Sequence, residues 1–358
     1  MSTSSNLNFQ LFDDPLKLYN SMLQDIKKAQ KYIYIETYRW ANDNVGLKFR
    51  DALIAKAVEG LEIKILVDSW ATTLPNTFFA NIIDAGGEVR FFKKIKFSFD
   101  FFTKNHRRNH RKLLLIDNNI SYMGSANFTA YSLNWRELVI RLNDGITEKF
   151  KRSFLESYKI YNKYIFNKFS FKKTIKHNGF EIIQDLPSIY RQQIKKKFEL
   201  LIQNAKKEVT IETPYFLPGY KLRKSLIEAA QRGIVVNIIV PEHSDVKIVD
   251  ILRSLYLGLL YEHGVSIYLY FPYNLHAKCL LIDNEIFEIG SPNFDYRSFR
   301  YMYEIALVGK EPAIISKLNE HIKGTMIHCK HFNYTAWQNR PLIEKIFARL
   351  LIPLRHLF

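Results

Sequence analysis

Asn109-His110-Arg111-Lys112-Leu113-Leu114-Leu115-Ile116-Asp117 and Leu275-His276-Ala277-Lys278-Cys279-Leu280-Leu281-Ile282-Asp283 are two copies of one pattern. In each, a His is followed two places later by a Lys, then by four apolar residues and an Asp. Gly124-Ser125-Ala126-Asn127 and Gly290-Ser291-Pro292-Asn293 follow in the same register. An apolar run closed by Asn-Asn or Asn-Glu reads as a strand, a tight turn and a second strand. Side chains two apart on a strand share a face, so His110 projects with Lys112 and His276 with Lys278. Beyond the turn, Ser125 pairs in this way with Asn127, and Ser291 with Asn293. Each copy thus presents an imidazole, an ammonium, a hydroxyl and an amide, a nucleophile or acid beside donors suited to phosphate oxygens. A half-buried strand with a Lys at its edge would explain one such motif; two in identical register favour a site.

The surroundings repeat as well. Helical spacing over 15–31 (Leu16, Tyr19, Leu23, Ile26, Ala29) leads into a strand from Tyr32, and 194–205 leads into a strand from Val209. These strands end in Ile35-Glu36-Thr37 and Ile211-Glu212-Thr213. Helices follow at 47–59 and 222–231, closed by Gly60 and Gly233, then buried strands at 63–67 and 235–240. Another helix, a Gly (Gly87, Gly264) and a strand complete each half before its motif. Alternating helices and strands, repeated once, predict an α/β fold with a sheet in each half and helices on its faces.

A chain of 358 residues is long enough for two cores. The expected division is a first repeat at 1–147, a basic aromatic connector at 148–186, and a second repeat with C-terminal helices at 187–358. The net charge of +17 points to a polyanionic partner, nucleic acid or an anionic membrane surface. Two cysteines, Cys279 and Cys329, are too few for a disulfide framework or a zinc site, and a reducing cytoplasmic setting is expected. No signal peptide opens the sequence, and no run of about 18 apolar residues spans a bilayer. A lipid substrate would therefore be met at the membrane surface.

Three stretches bear on that surface. The loop 95–105 mixes Phe99, Phe101 and Phe102 with lysines, suiting either lipid contact or ring packing. The connector begins as an amphipathic helix through Phe150, Phe154, Tyr158, Tyr161 and Ile165, readable as lipid-facing, as a partner for single-stranded nucleic acid, or as packed on the first domain. Helical patterns at 313–323 and 342–351 read as packing helices.

The double H-x-K-x-x-x-x-D signature with its G-S-x-N tails resembles the phospholipase D superfamily over most of the chain. This resemblance implies two phospholipase D-like domains, each a mainly parallel or mixed β-sheet flanked by helices, with one active site at their pseudo-twofold interface. It implies chemistry without metal or cofactor: one imidazole attacks phosphorus and the other protonates the leaving alkoxide. His110 is then the nucleophile and His276 the acid. Lys112, Lys278, Asn127, Asn293, Ser125 and Ser291 stabilise the phosphoryl oxygens. Glu137 and Glu304 orient the imidazoles, and Asp117 and Asp283 complete the motifs with a structural role expected.

Thr213-Pro214-Tyr215-Phe216-Leu217-Pro218, Pro241-Glu242-His243-Ser244-Asp245 and Asn293-Phe294-Asp295-Tyr296-Arg297-Ser298 resemble bacterial cardiolipin synthases of the short, peripheral type. Phospholipid substrates, a phosphatidyl transfer to the phosphatidylglycerol headgroup and a place on the inner face of the cell membrane follow as expectations. Tyr215, with Tyr38, is a candidate for lining the site. The alternatives are phospholipid hydrolysis, cleavage of single-stranded nucleic acid by the same two His, and a binding protein with an unused site. Oligomeric state is not legible in the sequence.

Overall fold

Strands buried on both faces are apolar at successive positions, and those of the two repeats form the middle of two sheets. The computed structural model describes residues 7–93, 105–163, 174–188 and 190–357. The chain divides into two compact units, Met1–Asn178 and Gly179–Phe358. Residues 95–104 of the aromatic loop lie outside the described residues.

In the first unit, β1 (Asn8–Phe12), β2 (Tyr32–Thr37), β3 (Glu62–Asp68), β4 (Glu88–Phe92), β5 (Leu113–Ile116), β6 (Ile120–Gly124) and β7 (Val139–Asn143) form one sheet in the order β1-β7-β6-β5-β2-β3-β4. β2, β3 and β4 are parallel. β5 joins β2 antiparallel and carries the motif hairpin with β6, and β7 and β1 continue antiparallel. Helices α1 (Pro15–Lys28), α2 (Asn44–Val58), α3 (Ala80–Asp84) and α4 (Ile146–Lys159) accompany this sheet. Asp14 caps α1 by accepting from Lys17 N at 3.0 Å, and Asp43 caps α2 by accepting from Val45 N and Gly46 N. Phe49, Leu53, Ile33, Ile35, Ile65, Val67 and Leu114 share the core of this unit.

The second unit takes the same path. Its strands β8 (Phe180–Asp185), β9 (Glu208–Glu212), β10 (Val235–Pro241), β11 (Ser266–Tyr270), β12 (Cys279–Ile282), β13 (Ile286–Gly290) and β14 (Met302–Gly309) run in the order β8-β14-β13-β12-β9-β10-β11. β9, β10 and β11 are parallel and the motif hairpin β12–β13 is antiparallel. β15 (Cys329–His331) adds antiparallel to the outside of β11. The helices are α5 (Gln193–Gln203), α6 (Tyr220–Gln231), α7 (Lys247–Glu262), α8 (Tyr296–Tyr301), α9 (Pro312–Met326), α10 (Tyr334–Gln338) and α11 (Leu342–Leu350). Gly60 and Gly233 close α2 and α6 with φ of 89° and 83°, left-handed backbone that glycine adopts without strain.

Two helices with similar sequence patterns differ in outcome. The connector helix α4 buries Phe150, Phe154 and Tyr158 completely or nearly so. The Phe154 ring stacks on Tyr34 of β2 at 5.0 Å, so α4 is a packing helix of the first unit. In contrast, α11, expected to pack, leaves Leu342, Ile343, Ile346, Phe347 and Leu350 exposed, because only Ala348 of this helix is buried.

Candidate active site

In the first motif, β5 begins immediately after Lys112, which places His110 and Lys112 at the same end of the strand. The Lys112 ammonium donates to the His110 carbonyl at 2.7 Å, a contact that fixes the path of the chain between the two side chains. Tyr38, just past the end of β2, meets the His110 ring edge-on with centroids 5.0 Å apart. The Lys112 Nζ lies 5.4 Å from the Tyr38 ring centre. The second motif repeats the main-chain arrangement, with Lys278 Nζ donating to the His276 carbonyl at 2.6 Å. Both imidazoles are largely buried.

The two Asp residues lie at the far end of the motif strands. Asp117 and Asp283 take left-handed backbone at the hairpin turns, with φ of 53° and 56°. The Asp117 carboxylate accepts from Gln30 N, Lys31 N and Tyr32 N at 2.8–3.1 Å. Asp283 accepts in the same way from Lys206 N, Lys207 N and Glu208 N. Burial pushes the Asp283 carboxyl up, but these N–H groups outweigh it and hold the pKa below the ordinary value. The motif aspartates thus tie the hairpin to the start of the neighbouring parallel strand.

Gly124 and Gly290 stand where the next strand passes too close for a side chain. A Cβ would meet Leu138 O at 2.4 Å in the first and Ile305 O at 2.7 Å in the second. This close passage brings the following serines to the two glutamates. The fully buried Ser125 hydroxyl donates to Glu137 Oε2 and accepts from Leu138 N at 2.9 Å. Ser291 donates to Glu304 Oε2 and accepts from Ile305 N at 3.0 Å. A hydroxyl has one proton, so these serines hold the glutamates in place.

Asn127 accepts from Arg39 N through Oδ1 at 3.2 Å, and its carbonyl accepts from the Tyr19 phenol at 2.6 Å. Asn293 is buried, and its Oδ1 has no hydrogen-bond partner among the described residues. Two residues on, Asp295 caps α8 through Ser298 N at 2.7 Å. Burial raises its carboxyl to about 6. Tyr215 lies one place off from Tyr38: Thr37 donates to Arg39 O and Thr213 to Tyr215 O, so Pro214 matches Tyr38. The Tyr215 phenol donates to Asp245 Oδ1 at 2.6 Å.

Beneath the motifs lies a layer of buried charge whose roles the sequence does not reveal. Glu36 accepts from Asn109 Nδ2 at 2.7 Å. Burial pushes its carboxyl up, opposed by the Arg111 guanidinium, which also donates to Ser157 of α4 at 2.7 Å. Asp68 accepts from Asn109 N at 2.8 Å, with Arg108 Nη1 3.8 Å away. Burial raises Asp68 to about 6. The matching Glu212 has a different partner: His321 of α9, with Nε2 3.1 Å from its Oε2, and Thr325 Oγ1 at 3.2 Å from Oε1. Glu288 of β13 is also buried; burial and the neighbouring Glu304 carboxylate keep its pKa well above the ordinary range. Burial likewise pushes the Cys279 thiol up.

Two α/β units of identical strand order, each presenting a His-x-Lys motif at a strand end, define a phospholipase D-type protein. The phosphatidylserine synthase of Haemophilus influenzae has the same fold: TM-score 0.77 at 16% identity, covering 98% of this chain and 95% of that one. The family described as "Cardiolipin synthase, PLD-like domain" matches residues 22–158 and 199–326, and this chain belongs to it. It is 33% identical to the major cardiolipin synthase ClsA of Bacillus subtilis over 352 residues, 94% of this chain and 73% of that protein. A cardiolipin synthase of Clostridium perfringens is 30% identical over 97% of this chain and 77% of its own length.

Proposed function

We propose that this protein is a phosphatidyl transferase of the cardiolipin synthase type, with His110 and His276 acting at one site. The observation that carries this reading is the duplicated motif geometry, in which His, Lys, Ser and Glu recur with the same internal hydrogen bonds. The relatives named cardiolipin synthase support lipid as substrate.

A His110 ring nitrogen attacks the phosphorus of a phospholipid and forms a P–N bond. The P–O bond to the headgroup breaks, and His276 gives its proton to the departing alkoxide. His276, now neutral, takes the proton of the glycerol hydroxyl of phosphatidylglycerol, whose oxygen attacks phosphorus and releases His110. Lys112 and Lys278 provide positive charge for the non-bridging oxygens throughout. Tyr38 holds the His110 ring, and Glu137 and Glu304, fixed by their serines, are the candidates for setting its tautomer and that of His276. The buried Asn293 amide is a candidate partner for the acceptor headgroup. The protein works as a peripheral protein on the inner face of the cell membrane; among the described residues, no helix is long and apolar enough to cross one.

The test is to incubate the purified chain with phosphatidylglycerol liposomes in the presence of EDTA, alongside His110→Ala and His276→Ala. Cardiolipin and glycerol formed by the parent and lost in both variants is the expected result. Phosphatidic acid as the sole product would make it a hydrolase, and cleavage of a labelled oligonucleotide alone would move the substrate to nucleic acid.

A further inference from the structure

Helix α11 leaves bare a surface that most helices of globular proteins bury. Leu342 is 70% exposed, Ile343 72%, Phe347 51% and Leu350 69%, with Ile346 between them. At about 100° per residue these side chains form one continuous stripe, and Ala348, on the opposite side, is buried against the second unit. Leu351 then packs on the cluster of Leu217, Val249, Leu252, Tyr256 and Tyr296, and Arg355 lies 5.9 Å from the Tyr296 ring. The helix is therefore fixed by its small side while its large apolar side faces outward.

We propose that this stripe is the membrane-docking surface of the protein and that its partner is an anionic phospholipid bilayer. Arg340, Lys345 and Arg349, within or next to the helix, border the stripe against a single acid, Glu344. An apolar stripe bordered by cations is the arrangement that seats a helix at the boundary of acyl chains and anionic headgroups. Pairing with a second copy about a twofold axis would set the same cations against each other. The location fits as well. Tyr296, which the C-terminal segment covers, opens α8 directly after Asn293-Phe294-Asp295 of the second motif. The segment that follows α11 thus packs on Tyr296, three residues after Asn293. This assignment builds on the lipid substrate proposed above.

The experiment measures binding to vesicles without turnover. A His110→Ala background is floated with vesicles of phosphatidylcholine alone and of phosphatidylcholine with phosphatidylglycerol, with and without Ile343→Ser, Phe347→Ser and Leu350→Ser combined. The expected result is flotation with the anionic vesicles that falls at least tenfold in the triple variant. A single Phe347→Trp variant is expected to shift its emission to the blue on those vesicles and to be quenched by brominated acyl chains. That measurement decides the matter if the triple variant loses its cooperative melt. Unchanged flotation of a folded triple variant, or an unshifted Phe347→Trp emission, would overturn the proposal. So would a parent dimer that the triple variant converts to monomer with vesicle binding intact. Vesicle binding by a parent that makes no cardiolipin would leave the docking surface standing and remove the catalytic reading; cardiolipin synthesis with normal flotation of the triple variant would do the reverse.

Discussion

Ser125 and Ser291 show how much a hydroxyl repeated in a motif depends on what it touches. Each gives its proton to a glutamate and takes one from the backbone. Removing the Ser125 hydroxyl takes one buried hydrogen bond from Glu137 Oε2 and one from Leu138 N, a loss of about 1–3 kcal/mol. Ser125→Ala and Glu137→Gln are expected to be non-additive in urea unfolding; simple addition of their effects would show that the two side chains act apart. Asp68 makes a prediction in pH. Its folded pKa, about 6, lies above the ordinary 3.8, so the folded state binds this proton more tightly than the unfolded. The stability it contributes is full below about pH 4 and is lost as pH rises through about 6, with a slope of up to about 1.4 kcal/mol per pH unit. Subtracting the stability profile of Asp68→Asn from that of the parent should leave this slope, and a flat difference would refute it.

Helices α4 and α11 carry the same sequence signal, an apolar stripe with basic flanks, and use it in opposite ways. In α4 the stripe faces β2, and Phe154→Ala is expected to destabilise the first unit by about 3–5 kcal/mol while leaving vesicle binding unchanged. Thermal melts and flotation of the one variant check both halves of that statement. The motif hairpins were legible because a period of two, a turn and a Gly are all local signals. The side on which a helical stripe lies is not local, since water, lipid and a sheet ask for the same spacing. For the same reason Glu36 and Glu212 pass unnoticed within apolar strands: only the fold brings Asn109 to one and His321 to the other. The Ser–Glu pairs join positions with no shared periodicity, and so the link between them appears only once the strands are laid side by side. Tyr38 was a candidate from its place at a strand end, and its ring lies edge-on to that of His110.

The two units share strand order, motif position and the hydrogen bonds around Ser and Glu, which is the signature of a duplicated domain. If one site uses both imidazoles, either His→Ala substitution alone should lower the rate of cardiolipin formation by a factor of about 10³ or more. Two independent sites would each leave about half of the activity, and initial rates of the two single variants separate these cases. The duplication was readable from the repeated strings, whereas the difference between the halves was not, because it rests on what lies under each motif. In the first unit, His110 stands between Arg108 and Arg111, which face Asp68 and Glu36 in the interior; in the second, Asn274 and Ala277 occupy those places. Transplanting Asn274-Leu275-His276-Ala277 into the first half would strand two carboxyls without counter-ions. The repeats have thus ceased to be interchangeable parts: a hybrid built from two copies of the second half would carry the Glu212–His321 footing twice and lack the one built on arginine, and any division of labour between the histidines has a ready physical origin in that unequal ground.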